Sequence, residues 1–437
     1  MTKDKIRKQI LELVDKYAEL EFTQKLFIPG ETPIPPSGKL LGEAELKNLV
    51  EASLDGWLTA GRFNDAFEKR LAKFIGVNHL ITANSGSSAN LIAFNALTSP
   101  KLGDRRIQKG DEVIGVAAGF PTTVNPIIQF GAVPVFVDVE METHNVNAEL
   151  IEAAITPKTK AIMLAHTLGN PFNCAKIRAL CDKYDLWLVE DCCDALGATY
   201  DGRMVGTWGD IGTLSFYPAH HMTMGEGGAV FTNDPELKVI AESFRDWGRD
   251  CYCPPGKDNT CGKRFDQRLG SLPEGYDHKY VYSHLGYNLK ITDMQAACGL
   301  AQLDSLERFI EIRRKNYSYL ASRASSLVDF VDIAKPTPNS CPSWFGFPIT
   351  LKEGIGVDRV DVTRYLDQFN IGSRLLFAGN LINQPYFSDV KYRVVGELKN
   401  TDITMKNTFW VGVQPALNDE KLDYITDKLE EFFGINF

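Results

Sequence analysis

From about residue 46 to residue 300 the chain alternates short, mostly apolar runs with stretches of helical spacing. The runs are His79–Ala83, Glu112–Val116, Val133–Val137, Ala161–Leu164, Leu186–Glu190 and Gly228–Thr232. This alternation predicts an α/β fold, a mostly parallel sheet covered by helices. In such sheets ligands bind beyond the carboxyl ends of the strands, and small and polar residues follow several of these runs. Upstream, Ile6, Ile10, Leu11, Leu13, Val14 and Tyr17 predict an amphipathic helix over Ile6–Leu20. Periodicity is lost between Arg249 and Tyr287, where Cys, Pro, Gly, Lys and Asp accumulate. So long an irregular stretch inside a compact domain is more often functional than filler. After Leu300 a long helical pattern leads into a second alternating region, read as a smaller α+β domain. The expected division is a helical extension over 1–41, a large domain over 42–300 with the irregular loop at 249–287, and a small domain over 301–437.

Composition narrows the function classes. A chain of 437 residues, 44% apolar, is large enough for two or three domains. A formal charge of −9 argues against a nucleic-acid or anionic-membrane binder. The N-terminus carries positive charge with no apolar run behind it, and no segment is long and apolar enough to span a bilayer. The expectation is a soluble cytoplasmic protein. Nine cysteines in that setting are not expected to form disulfides. Cys174, Cys181, Cys192, Cys298 and Cys341 read as buried apolar fillers.

Three segments carry chemistry. In Leu186–Gly197 an apolar strand runs out at Asp191. A carboxylate there could pair with the protonated ring nitrogen of a vitamin B6 cofactor, or simply cap a helix. Asn84–Asn90, small and polar, opens a helix after a strand, as a phosphate cradle does and as a plain turn also does. The third segment, Asp210–Gly228, reads Asp-Ile-Gly, then Ser215-Phe, then His220-His221, and ends in a Gly-rich turn before another strand.

Together these segments resemble the sugar aminotransferase family of fold type I, enzymes that make amino sugars on nucleotide carriers. The resemblance runs from about Gly42 to Leu300. It includes Gly56-Trp57-Leu58-Thr59 with Gly61, His166-Thr-Leu-Gly169, and Gly286–Ala296. It implies that Asp191 pairs with the pyridine nitrogen, that Phe120 stacks on the ring, and that Gly86, Ser87 and Ser215 hold the phosphate. Asp194 occupies the position near the phenolic oxygen, where the aminotransferases usually carry Gln or His. Asn288 matches a residue that reaches the phosphate of the neighbouring subunit, which implies a homodimer.

The departure is His220, which falls where the family has its lysine, five residues after the serine. A lysine amine forms an imine with pyridoxal phosphate (PLP), and imidazole cannot. The cofactor is therefore expected as non-covalently held pyridoxamine 5′-phosphate (PMP). Histidine suits removal of a proton from the C4′ carbon of PMP at neutral pH. Electrons released there can expel the hydroxyl next to a substrate ketone, so dehydration replaces transamination. His221 reads as a flanking residue. The rival readings are a sugar aminotransferase, which would need a lysine in this segment, and a non-catalytic B6-binding homologue.

Cys251, Cys253 and Cys261 crowd the irregular loop, and Cys193 follows Asp191 by two residues. Clustered thiols suggest zinc or an iron–sulfur centre. The arrangement resembles the [2Fe–2S] site of the CDP-4-keto-6-deoxy-D-glucose 3-dehydratases, where the fourth ligand corresponds to Cys193. Cys192 is the rival by spacing. That resemblance implies CDP-4-keto-6-deoxy-D-glucose as substrate and a 3,6-dideoxy sugar as product. It also implies electrons supplied by an NAD(P)H-dependent iron–sulfur flavin reductase. A cluster-free 3-dehydratase is the alternative. Lys263, Arg264, Arg268 and Lys279 could meet a pyrophosphate or face solvent.

Overall fold

The computed structural model describes residues 2–23, 26–253 and 256–435. Positions 254 and 255 of the irregular loop therefore lie outside the described residues.

Seven strands of the large sheet come from the first three-fifths of the chain: β1 (His79–Ala83), β2 (Glu112–Val116), β3 (Val133–Val137), β4 (Thr159–Ala165), β5 (Trp187–Asp191), β6 (Ile211–Ser215) and β7 (Gly228–Thr232). Beyond residue 301 come β8 (Val331–Ile333), β9 (Gly346–Leu351), β10 (Ser373–Leu375), β11 (Arg393–Val394) and β12 (Thr408–Gly412). The large sheet runs β1-β7-β6-β5-β4-β2-β3-β11. Its pairings from β6 through β11 are parallel, and β7 is antiparallel to both β6 and β1. Strands β3, β5, β6 and β7 are buried at every position, as sheets covered on both faces require. A second, antiparallel sheet runs β8-β9-β12-β10. Residues 393–394 return from beyond 301 to pair with β3 of the large sheet.

Helices α1 (Lys3–Glu21), α2 (Glu43–Asp55), α3 (Arg62–Ile75), α4 (Gly86–Ala96), α5 (Pro121–Phe130), α6 (Cys174–Tyr184), α7 (Pro235–Arg245), α8 (Asp293–Gln302) and α9 (Leu306–Arg323) surround the sheet or lead from it. The amphipathic N-terminal helix is present, capped by Thr2 and tied to α2 by Arg7 against Glu51 and Asp55. Its Leu13, Tyr17 and Leu20 remain exposed. No described helix is long and apolar enough to cross a membrane.

Two glycines set how closely the cofactor segments approach. A Cβ on Gly86 would stand 2.4 Å from Cβ of Ser215, and one on Gly228 would stand 2.3 Å from the carbonyl oxygen of Ser85. Only glycine lets the start of α4 lie against the ends of β6 and β7. The thiols of Cys174, Cys181, Cys192 and Cys298 are buried as expected. Cys341 is exposed instead, on a two-residue edge strand paired with Thr199–Tyr200.

Candidate active site

The carboxyl ends of β5 and β6 and the N-termini of α4 and α5 meet at a cavity of about 610 Å³. Gly86, Ser87, Phe120, Asp191, Asp194, Ser215 and His220 all line it. Seven positions spread over more than 130 residues of sequence are thus brought to one place, as expected for the open edge of a parallel sheet.

Asp191 is the last residue of β5 and caps no helix. Its Oδ2 accepts from Asn90 Nδ2 at 2.8 Å and from Thr123 Oγ1 at 2.7 Å, and its Oδ1 accepts from the Cys193 amide at 3.1 Å. Asn90 is itself held by the Thr213 hydroxyl at 2.6 Å. The carboxylate is therefore fixed in direction by groups on α4, α5 and β6. Asn90 lies within the cradle segment and Thr123 follows Phe120 by three positions, yet neither role shows in the sequence. Their roles depend on packing that no local pattern reports.

At the other end of the cavity, Ser85 caps α4 by accepting from the Ser88 amide at 3.1 Å, leaving the amides of the first turn directed outward. Ser215 closes the same cradle. Phe120, half exposed, precedes Pro121 at the start of α5 and meets the Phe377 ring edge-on at 6.3 Å. These residues fit a phosphorylated pyridine ring: a carboxylate at one end, small residues and helix amides at the other, and an aromatic face beside it. No lysine lines the cavity among the described residues.

His220 sits on a turn after β6, its amide donating to Tyr217 O at 2.9 Å. Its Nδ1 lies 3.2 Å from Asp194 Oδ1, without hydrogen-bond alignment to any of the described residues, and its ring is 5.2 Å from that of Phe345, the residue before β9. Phe345, Arg374, Phe377 and Trp410, all C-terminal to residue 301, complete the wall. Sequence reading did not find them. His166, left open between packing and function, is buried, bonded to Glu190 Oε2 at 3.0 Å and stacked on Phe172, with its edge at the cavity.

Asn288 stands elsewhere. It is exposed, bridges to Asp246 and does not line its own chain's cavity.

The cysteines divide in two. Cys251, Cys253 and Cys261 line one small cavity with His278. The Thr260 hydroxyl donates to Cys253 Sγ at 3.0 Å and pulls that thiol down to about 7. Cys193 instead opens on the cofactor cavity, where burial first, and then Asp191, hold its thiol far above the ordinary range. The rival Cys192 is fully buried and lines neither cavity. Unlike Cys253, Cys251 has its thiol held above the ordinary range by burial, and of Cys193, Cys251, Cys253 and Cys261 no three thiols lie within 4.8 Å of one another among the described residues. Arg264 and Lys279, considered for pyrophosphate, are paired with Asp277 and Asp258.

Comparison with known proteins agrees with this geometry. The model of the DegT/DnrJ/EryC1/StrS aminotransferase family matches residues 39–430. The chain is 66% identical to the lipopolysaccharide biosynthesis protein RfbH of Salmonella typhimurium over 437 residues, 100% of both chains. It is 52% identical to the dTDP-4-dehydro-2,6-dideoxy-D-glucose 3-dehydratase of Saccharopolyspora spinosa, over 93% of this chain and 88% of that one. The structure of E. coli GDP-4-keto-6-deoxy-D-mannose-3-dehydratase with bound hydrated PLP superposes with a TM-score of 0.81 at 30% identity. It covers 91% of this chain and 99% of that chain. The fold is aminotransferase fold type I, as the sequence resemblance implied.

Proposed function

We propose that this chain, which belongs to the DegT/DnrJ/EryC1/StrS aminotransferase family, is a PMP-dependent enzyme that removes the C-3 hydroxyl of a nucleotide-linked 4-keto-6-deoxyhexose. The observation that carries the reading is His220: an imidazole, backed by Asp194 at 3.2 Å, lines the cavity that also holds Asp191 and contains no lysine. When bound, PMP supplies an amine that condenses with the sugar ketone and a ring that draws electrons from its C4′ carbon. Asp191, aimed by Asn90 and Thr123, holds the proton on the ring nitrogen. Gly86, Ser87 and Ser215 hold the phosphate, and Phe120 supports the ring. His220 takes the C4′ proton through Nε2, and Asp194 offsets the charge the imidazole gains. Phe345 covers one side of His220 and keeps water from it. Arg374, the one Lys or Arg lining the cavity among the described residues, meets the diphosphate of the substrate.

The finer reading is a CDP-4-keto-6-deoxy-D-glucose 3-dehydratase in a homodimer. In it Cys193, Cys251, Cys253 and Cys261 would hold a [2Fe–2S] cluster fed by an NAD(P)H-dependent iron–sulfur flavin reductase. The three loop thiols at one cavity and the similarity to a lipopolysaccharide biosynthesis protein support it. Asn288, standing outside its own cavity, supports the dimer. The loop thiols line one cavity and Cys193 lines another. The likeness to GDP-4-keto-6-deoxy-D-mannose-3-dehydratase supports a second reading: dehydration without added electrons.

The test is to purify the protein anaerobically, measure iron, acid-labile sulfide and zinc, and record an EPR spectrum after chemical reduction. PMP-loaded enzyme is then offered CDP-, dTDP- and GDP-4-keto-6-deoxyhexoses, with and without a reductase. A [2Fe–2S] signal at about two irons per chain with a reductase-dependent dideoxy sugar supports the cluster reading. Turnover without iron supports the cluster-free one. Loss of no hydroxyl from any of the three sugars refutes the dehydratase.

A further inference from the structure

The mechanism leaves unused the buried histidine next to the base. His221 is 2% exposed, and its Nε2 lies 2.8 Å from the carbonyl oxygen of Ser343. A carbonyl only accepts, so Nε2 carries the ring proton and Nδ1 is left as an acceptor. That Nδ1 is buried and has no hydrogen-bond partner among the described residues.

Arg313 on α9 is 1% exposed. Its Nη1 donates to the carbonyls of Trp344 at 3.3 Å and Phe345 at 3.2 Å, and its Nη2 to those of Ala219 at 3.5 Å and His220 at 3.2 Å. Its Nε–H is buried and likewise has no partner among the described residues. Arg313, His221 and His220 line one small space of about 10 Å³, with Thr223 and Gln302 beside them. That is about the room one water needs, and a buried water needs two to four polar partners. Of the unpartnered atoms on its lining residues, Arg313 Nε–H is a donor and His221 Nδ1 an acceptor; His220 Nδ1 is the third.

We propose that a single ordered water accepts from Arg313 Nε–H and donates to His221 Nδ1, and that His221 and Arg313 are positioning residues for His220. The two side chains join main-chain segment 219–221 to segment 343–345. Arg313 bonds both segments, and His221 reaches Ser343. The junction fixes the turn that carries His220 against Phe345, the ring it meets at 5.2 Å. Burial first, and then Arg313, push His221 far below the ordinary histidine range, which keeps the imidazole neutral with Nδ1 free to accept. His221 is thus a fixed acceptor rather than a second base.

The kinetic part of this proposal rests on the dehydratase reading; the structural part does not. On the PMP-loaded enzyme, ¹⁵N-histidine NMR from pH 5 to 9 should show His221 locked as the neutral Nε2–H tautomer. A high-resolution crystal structure should place a water within hydrogen-bond distance of both Arg313 Nε and His221 Nδ1. A titrating His221, or a dry cavity, overturns the proposal. In kinetics His221→Phe removes both contacts, whereas His221→Gln keeps a donor for Ser343. With rates normalised to bound PMP, His221→Phe should lower kcat roughly tenfold or more, the scale of a misplaced catalytic group. KM and the midpoint of the pH profile should hold, and His221→Gln should recover most of the loss. An unchanged normalised kcat in the Phe variant overturns the positioning role. Should the wild-type enzyme dehydrate nothing, the functional reading falls, and the spectra and the solvent peak still decide the structural claim.

Discussion

Asp191→Asn is the sharpest single perturbation of the cofactor site, because the structure sets which contacts an amide can keep. In the native chain Oδ2 accepts from two donors, Asn90 Nδ2 at 2.8 Å and Thr123 Oγ1 at 2.7 Å, and Oδ1 accepts from the Cys193 amide at 3.1 Å. An asparagine has one oxygen. Placed toward Asn90 and Thr123, that oxygen keeps both bonds but turns the amide nitrogen onto the Cys193 N–H, donor against donor. The opposite orientation faces the amide nitrogen toward the Asn90 donor, while the Thr123 hydroxyl can rotate to accept. Either way a buried group loses its partner, at about 1–3 kcal/mol. The charge that pairs with the pyridinium is lost as well, and a charge-assisted hydrogen bond contributes about 1.5–3 kcal/mol. Expressed as binding, the charge loss alone predicts a Kd for PMP raised roughly 10- to 150-fold. The assay is calorimetric titration of the apo-protein with PMP, beside a urea titration of the apo-protein to isolate the folding cost. A Kd within about threefold of wild type would refute the assignment of Asp191 as ring partner, whatever the effect on turnover.

Other outcomes follow from the same geometry. His220→Lys should bind PLP covalently, seen as a mass increase after borohydride reduction, and should lose dehydration; retained dehydration would remove His220 as the base. Arg374→Gln should raise KM for the nucleotide sugar by roughly 10-fold or more, the worth of a cation on a phosphate, while PMP binding holds; an unchanged KM places the diphosphate elsewhere. Burial lowers His144 to about 4. Its folded value lies below its unfolded one, so the unfolded chain binds the proton first, and stability falls as pH drops from about 6.5 toward 4. Urea midpoints measured across that window should decline less steeply in His144→Gln, and parallel slopes would acquit His144.

The legible parts of this protein were those that local chemistry dictates. Asp191, where an apolar strand runs out, could equally have capped a helix; the resemblance to the sugar aminotransferases is what pointed to a ring partner. His220 stood out because a lysine belongs in its place between recognisable flanks. The sheet strands declared themselves through short apolar runs, with boundaries shifted by a residue or two: the strand expected at Leu186–Glu190 runs Trp187–Asp191. The illegible parts were those made by convergence. Asn90 and Thr123 aim Asp191 from two different helices. Phe345, Arg374 and Trp410 reach the cavity only because the second sheet packs over its mouth. The two-residue strand at 393–394 is too short to carry a pattern, yet it extends the large sheet. Cys341, read as buried, proved exposed because its edge strand lies at the surface. Cys193, two residues beyond Asp191, lines the cofactor cavity, as its place in the chain implied.

The amino-acid sequence by itself determined the α/β architecture, because strand periodicity is a local property, and through its likeness to the sugar aminotransferases it pointed to a B6-type site with an imidazole in place of the lysine. Tertiary structure alone decided which groups orient Asp191, which rings and which cation close the cavity, and how His221 and Arg313 brace the turn bearing His220. Those depend on hydrogen bonds and burial between segments as much as 100 residues or more apart, and the free energy of such contacts exists only once the layers have packed.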